Sequence, residues 1–187
     1  MNSITIKNTT YSLNFSFLVF NALIFLLREN DIVMNFYAVC IIHELGHLFA
    51  IAITGGKVKS VVFSGTGVII KPERNSRHEL FIMLAGAGAN LIAFAVMYIS
   101  DIGGIFRLLN ICTAVYNLLP YRQLDGGTAL GLIIDGTPHE RIINNILTII
   151  KILFSIILLT VTILCNNEFL PLFIVSVMLF ISERGIL

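Results

Sequence analysis

Residues 32–54 read IVMNFYAVCIIHELGHLFAIAIT. Apart from His43, Glu44 and His47, the stretch carries no group that is charged near neutral pH. It is long enough to cross the hydrocarbon core of a bilayer as one helix, which takes about 20 residues. Comparable apolar runs cover Tyr11 to Leu27, Leu80 to Ser100, Ile105 to Leu119, Ile142 to Leu164 and Phe169 to Ile181. The run from Ile105 and the run from Phe169 are short, so each either extends into its flanks or spans only in part. The whole chain agrees with this reading. Of its 187 residues 57% are hydrophobic and 12% charged, and its mean hydropathy is +0.92. A water-soluble fold of this size would struggle to cover that much apolar surface. The expected fold class is an all-α polytopic membrane protein of about six transmembrane helices, with a short cytoplasmic β-hairpin.

A net charge of +1 offers no basic stripe for phosphates, so nucleic acid is not an expected partner. Cys40, Cys112 and Cys165 are odd in number and far apart, which argues against a disulfide framework or a thiolate metal site. They read as small buried hydrophobes. The polar start MNSITIKNTT leads into an apolar run without a small-residue cleavage site, so the first run is expected to remain as an anchor.

Lys57, Lys59, Lys71, Arg74 and Arg77 follow the second run, against Arg28 after the first and Arg107 near the third turn. The positive-inside bias puts the Lys57 to Arg77 loop in the cytoplasm. With six spans both termini join it there, as do Lys7, Arg122, Arg141 and Arg184. Within the loop, Val58 to Phe63 and Val68 to Lys71 flank Ser64-Gly65-Thr66-Gly67, the pattern of a β-hairpin. Its edge can accept an extended peptide as an added strand; a hairpin that only caps the bundle has the same sequence.

His43-Glu44-Leu45-Gly46-His47 is an HExxH pattern. Residues four apart share a helix face with about a 6 Å rise between them, so two imidazoles can bind one tetrahedral zinc. Glu44 beside them is a candidate general base for a water that the zinc activates. Histidine and glutamate inside a membrane helix are costly unless they pair or bind something. His47 lies seven residues before Thr54, roughly 10 Å from the cytoplasmic helix end. A catalytic zinc site takes three protein ligands and an open position. Asp125 is the best candidate for the third, since Pro120 should end the preceding run and Gly126 and Gly127 let the chain turn back. One zinc per chain is expected, and no small-molecule organic cofactor.

HELGH in one run and Asn117-Leu118-Leu119-Pro120-Tyr121-Arg122-Gln123-Leu124-Asp125-Gly126-Gly127 after a later one together resemble the site-2 protease family of intramembrane zinc metalloproteases. The layout is most like its sporulation-factor branch, and no PDZ-like or other regulatory domain is expected in this chain. The resemblance implies zinc ligation by His43, His47 and Asp125, with Glu44 as catalytic base. It assigns Asn117 and Pro120 to the segment that helps hold substrate. It also matches Gly86 to Asn90 to the family's small-residue motif, with Ala87 where many members have proline. Read from the residues themselves, Gly86 and Gly88 allow close helix approach. Asn90 can donate to a substrate carbonyl or oxyanion, or make an interhelical hydrogen bond.

The expected organisation is a single membrane-embedded metalloprotease domain, 1–187, with a catalytic core at about 32–130 and accessory helices 11–27, 142–164 and 169–181. The expected reaction is hydrolysis of a peptide bond within or next to a transmembrane segment of a membrane-embedded or membrane-tethered protein, such as a regulatory or pro-sigma or anti-sigma type. Control would come from a regulatory membrane protein, the lipid or substrate supply. The expected location is a bacterial plasma membrane, with the site toward the cytoplasm. The rivals are a zinc-binding transporter or sensor, and a catalytically dead adaptor. His78 and His139 sit in polar, turn-like sequence and are left out of the site.

Overall fold

The apolar run around HELGH forms α2 (Asn30–Ile53), opened by Asp31 in its first turn, where a carboxylate offsets the positive end of the helix dipole. It ends where Gly55, at φ 68°, takes a left-handed conformation that glycine adopts without a Cβ penalty. The computed structural model describes residues 2–6, 8–27, 30–64, 67–72, 78–165 and 170–183. The hairpin turn at Gly65 and Thr66, and Lys7, Arg28, Arg74, Arg77 and Arg184 of the charge pattern, lie outside these.

The other described elements are β1 (Asn2–Ile6), β2 (Thr9–Leu13), α1 (Phe15–Leu27), β3 (Val58–Ser64), β4 (Gly67–Pro72), α3 (Glu79–Ile99), α4 (Gly104–Asn117), α5 (Asp125–Ile134), α6 (Glu140–Leu164) and α7 (Leu170–Glu183). Helices α2, α3 and α6, of 23, 21 and 25 qualifying residues, are long and apolar enough to cross a membrane. The chain is an integral membrane protein on this count. α6 leaves Ile146, Ile149, Leu153, Ile156, Ile157 and Ile163 exposed, a face suited to lipid rather than water.

Six spans were expected, and the described helices reach full length in three places. The run from Ile105 and the run from Phe169 give α4 and α7, of 14 residues each, about 21 Å long at 1.5 Å per residue against a core of about 30 Å. The run from Tyr11 is divided, because Tyr11 to Leu13 pair in parallel with Val61 to Phe63 and leave 13 residues to α1. The sheet is also larger than the expected hairpin. Its order is β1-β2-β3-β4, with antiparallel β1–β2 and β3–β4 pairs joined by the parallel β2–β3 pair. Asn8, at φ 68°, supports the first reversal, a conformation asparagine tolerates better than most residues. No cysteine matches the buried expectation: Cys112 is exposed and Cys40 and Cys165 half-buried.

The chain divides into two compact units, residues 1–117 and 118–187. In the first, α3 packs against both α2 and α4, and α2 also meets α4. Ala50, Ile51 and Ile82 form a buried cluster that Val58 and Ile70 of the hairpin join. Gly46 makes the α2–α3 approach possible, since a Cβ there would lie 2.5 Å from the Ala85 carbonyl oxygen and 2.8 Å from the Ala89 Cβ.

In the second unit α6 packs on α7. Lys151 of α6, buried in an apolar helix, bonds both carboxylate oxygens of Glu183 at 2.6 and 2.7 Å. Its ammonium lies 5.6 Å from the centre of the Tyr121 ring, and the Tyr121 hydroxyl and Ser155 both meet the Ser176 hydroxyl at 2.8 Å.

Candidate metal centre

His43 and His47 lie one turn apart on the buried face of α2, at 6% and 5% exposure. Each ring is tied at Nδ1. The Nδ1 of His47 lies 2.7 Å from the Ile82 carbonyl oxygen of α3. A carbonyl only accepts, so this nitrogen carries the proton. The Nδ1 of His43 lies 2.8 Å from Oδ1 of Asn90. The amide orientation follows from its other contacts, because Asn90 Nδ2 donates to the Val39 carbonyl at 3.1 Å and to Oδ1 of Asn110 at 2.9 Å. Its oxygen must therefore face His43, whose Nδ1 donates.

With both Nδ1 atoms donating outward, the imidazoles turn Nε2 toward each other, and these two nitrogens are 3.2 Å apart. Two nitrogens each about 2.05 Å from one zinc at the tetrahedral angle are about 3.3 Å apart. The pair thus fits two corners of a tetrahedral zinc, and the ties at Nδ1 are the outer contacts that orient such ligands.

Gly86 of α3 completes this face. A Cβ there would collide with Nε2 of His47 and come within 2.8 Å of Nε2 and Cε1 of His43. Gly88, two residues on, has nothing within 4 Å of its Cβ position. The small-residue motif therefore does two different things: Gly86 keeps the space in front of the imidazoles, while Gly88 meets no such constraint.

Glu44 is half-buried, the next residue after His43 on the same helix. Asn90 is fully buried. Both of its amide protons go to Val39 and Asn110, the donors that a substrate-binding role would require. Asn117 is the last residue of α4, with Nδ2 donating to the Thr113 carbonyl at 3.0 Å. Asn110 was not singled out in the sequence. The signal available was an amide inside an apolar helix, which needs a partner there.

In the second unit Asp125 is half-buried and opens α5. The loop before it folds tightly back. Leu124 N–H donates to the Tyr121 carbonyl and the Thr128 hydroxyl to the Arg122 carbonyl. Gly126 and Gly127 were expected to turn the chain, yet they lie within the first turn of α5. Their function is spatial: a Cβ on Gly126 would strike the Leu118 carbonyl group and one on Gly127 that of Tyr121. Pro120 lies in this loop, three residues beyond the end of α4. Arg122 makes a bidentate pair with Asp135 at the far end of α5, both bonds 2.7 Å. That guanidinium holds the Asp135 carboxyl below the usual carboxylate range.

By donor chemistry, His43, His47 and Asp125 make a possible metal-ligand set. Apolar helices long enough to cross a membrane, one of them carrying an HExxH histidine pair of this geometry, mark a membrane protein with a possible metal site. Its fold is that of a site-2 protease. The site-2 protease from Methanocaldococcus jannaschii matches over 98% of this chain and 94% of its own, with a TM-score of 0.66 and 22% identity. A Synechocystis protein whose provisional name is zinc metalloprotease sll0528 is 28% identical over 112 residues, which is 52% of this chain. The match takes in 30% of that relative's length. No protein-family model matches the chain.

Proposed function

We propose that the protein is an intramembrane zinc metalloprotease of the site-2 type, acting on a peptide bond within or next to a transmembrane segment of a membrane-tethered protein. The observation that carries this reading is the pair of Nε2 atoms 3.2 Å apart, with both Nδ1 atoms committed as donors, on an HExxH helix. Asp125 supplies the third ligand, and one zinc ion is bound per chain. When bound, the zinc supplies Lewis acidity toward a carbonyl oxygen and lowers the pKa of water.

The chain's own residues do the rest. Imidazoles locked through Nδ1 hold their Nε2 atoms in place without reorganisation during the reaction. Glu44 takes the proton from the attacking water and returns it to the leaving amine, the general acid–base role that the residue between two such ligands can fill. Gly86 keeps the reacting face open. A helical substrate hides its scissile carbonyl in its own hydrogen bonds, so it must unwind before attack. β4 ends the sheet order and offers an edge to which an extended peptide can add. Asn117 and Pro120 are the proposed substrate contacts.

The substrate is of a regulatory, pro-sigma or anti-sigma kind. The site faces the cytoplasm of a bacterial plasma membrane, and the whole chain works as one catalytic domain. The positive-inside charge pattern and the short loops support this orientation.

The test is cleavage of a single-span reporter in proteoliposomes. Wild type cleaves and loses activity to a zinc chelator, while Glu44→Gln binds zinc without cleaving. A Glu44→Gln protein that cleaves at the wild-type rate would overturn the reading.

A further inference from the structure

The tie on His43 does not end at Asn90. Asn110 of α4 donates from Nδ2 to the Phe106 carbonyl at 2.9 Å and accepts from Asn90 at its Oδ1. Both asparagines are at 0% exposure. The Phe106 carbonyl can only accept, so the Asn110 amide is oriented by its own helix. That orientation presents an acceptor to Asn90, which turns the Asn90 oxygen toward His43. Direction is therefore transmitted from α4 through α3 to an imidazole on α2. Buried polar networks specify one arrangement when their members are satisfied, and losing a member is costly.

We propose that Asn110, acting through Asn90, is a positioning residue for His43: the two amides hold the imidazole as its Nδ1–H tautomer with Nε2 turned toward His47, so metal affinity depends on a helix that supplies no ligand. The proposal rests on the zinc reading above.

The test uses the full-length chain in detergent. Zinc affinity is measured by competition with a chromophoric chelator, and the cobalt(II) absorption spectrum and apo-protein melting are recorded alongside. Asn110→Leu keeps the side chain's size and removes the acceptor. Zinc affinity is expected to fall by roughly 10- to 100-fold, the range for losing an outer contact to a ligating histidine, with a shift in the cobalt bands. Asn110→Asp, protonated in this apolar setting, retains an acceptor for Asn90 and a donor for Phe106, and is expected to recover most of the affinity. Asn110→Ala serves the same comparison if the leucine variant does not fold.

A folded Asn110→Leu or Asn110→Ala protein with wild-type zinc affinity and an unchanged cobalt spectrum would overturn the positioning role and leave the metal reading intact. A folded wild type that takes up no zinc would overturn both.

Discussion

Gly86 of α3 stands against Nε2 of His47 so closely that a methyl group on Gly86 would overlap it. The same methyl would come within 2.8 Å of Nε2 of His43, so it would fill the space where the two Nε2 atoms converge. Gly86→Ala is expected to remove zinc binding while the protein still inserts and folds. Gly88→Ala, with open space around it, is expected to bind as wild type does. Metal content per chain of the two purified variants checks this contrast.

Gly127 is held against the carbonyl group of Tyr121. Gly127→Ala must push the preceding loop away from the first turn of α5, an overpacking cost of about 1–3 kcal/mol. Asp125 lies two residues earlier, so its carboxylate shifts as well. A lower melting temperature together with weaker zinc binding is the expected outcome, read by thermal unfolding and chelator competition.

Arg122 and Asp135 bracket α5 with two 2.7 Å bonds. Because the Asp135 pKa is lowered by this pairing, its contribution is present above the unfolded carboxylate value of about 3.9 and is lost as pH falls through the lower folded value. Melting curves of wild type and Asp135→Asn should differ by a constant amount between about pH 5 and 8 and converge only below the usual carboxylate range. A difference that changes within the neutral window would show that another group is responsible.

Lys151 and Glu183 form a pair with side-chain exposures of 6% and 18%. Removing one partner leaves the other charge without compensation in apolar surroundings, a loss of roughly 3–5 kcal/mol. Lys151→Met should therefore lower the melting temperature sharply. Lys151→Met combined with Glu183→Leu should restore much of it, since an apolar pair of similar volume often replaces a buried ion pair at little cost. A double-mutant cycle by thermal unfolding measures the difference.

The HELGH helix and the hairpin of β3 and β4 were legible because each has a local signal: four-residue spacing in an apolar run, and β-branched runs about a glycine turn. The strands β1 and β2 were not, since Tyr11 to Leu13 pair with Val61 to Phe63, a partner about fifty residues away. No periodicity within residues 9–13 reveals such a partner. The approach of the two Nε2 atoms followed from spacing, whereas the partners of Nδ1 did not, because Asn90 and Ile82 meet α2 only through helix packing. Lys151 was legible in principle as a lone cation in an apolar helix, and its partner lies 32 positions on.

The central claim is that this chain holds zinc through the HELGH helix, and zinc content per folded chain in detergent tests it most directly. About one zinc in wild type, absent in His43→Ala and His47→Ala and reduced in Asp125→Ala, is the expected result. Native, monodisperse wild type that remains free of zinc after incubation with the metal would contradict it.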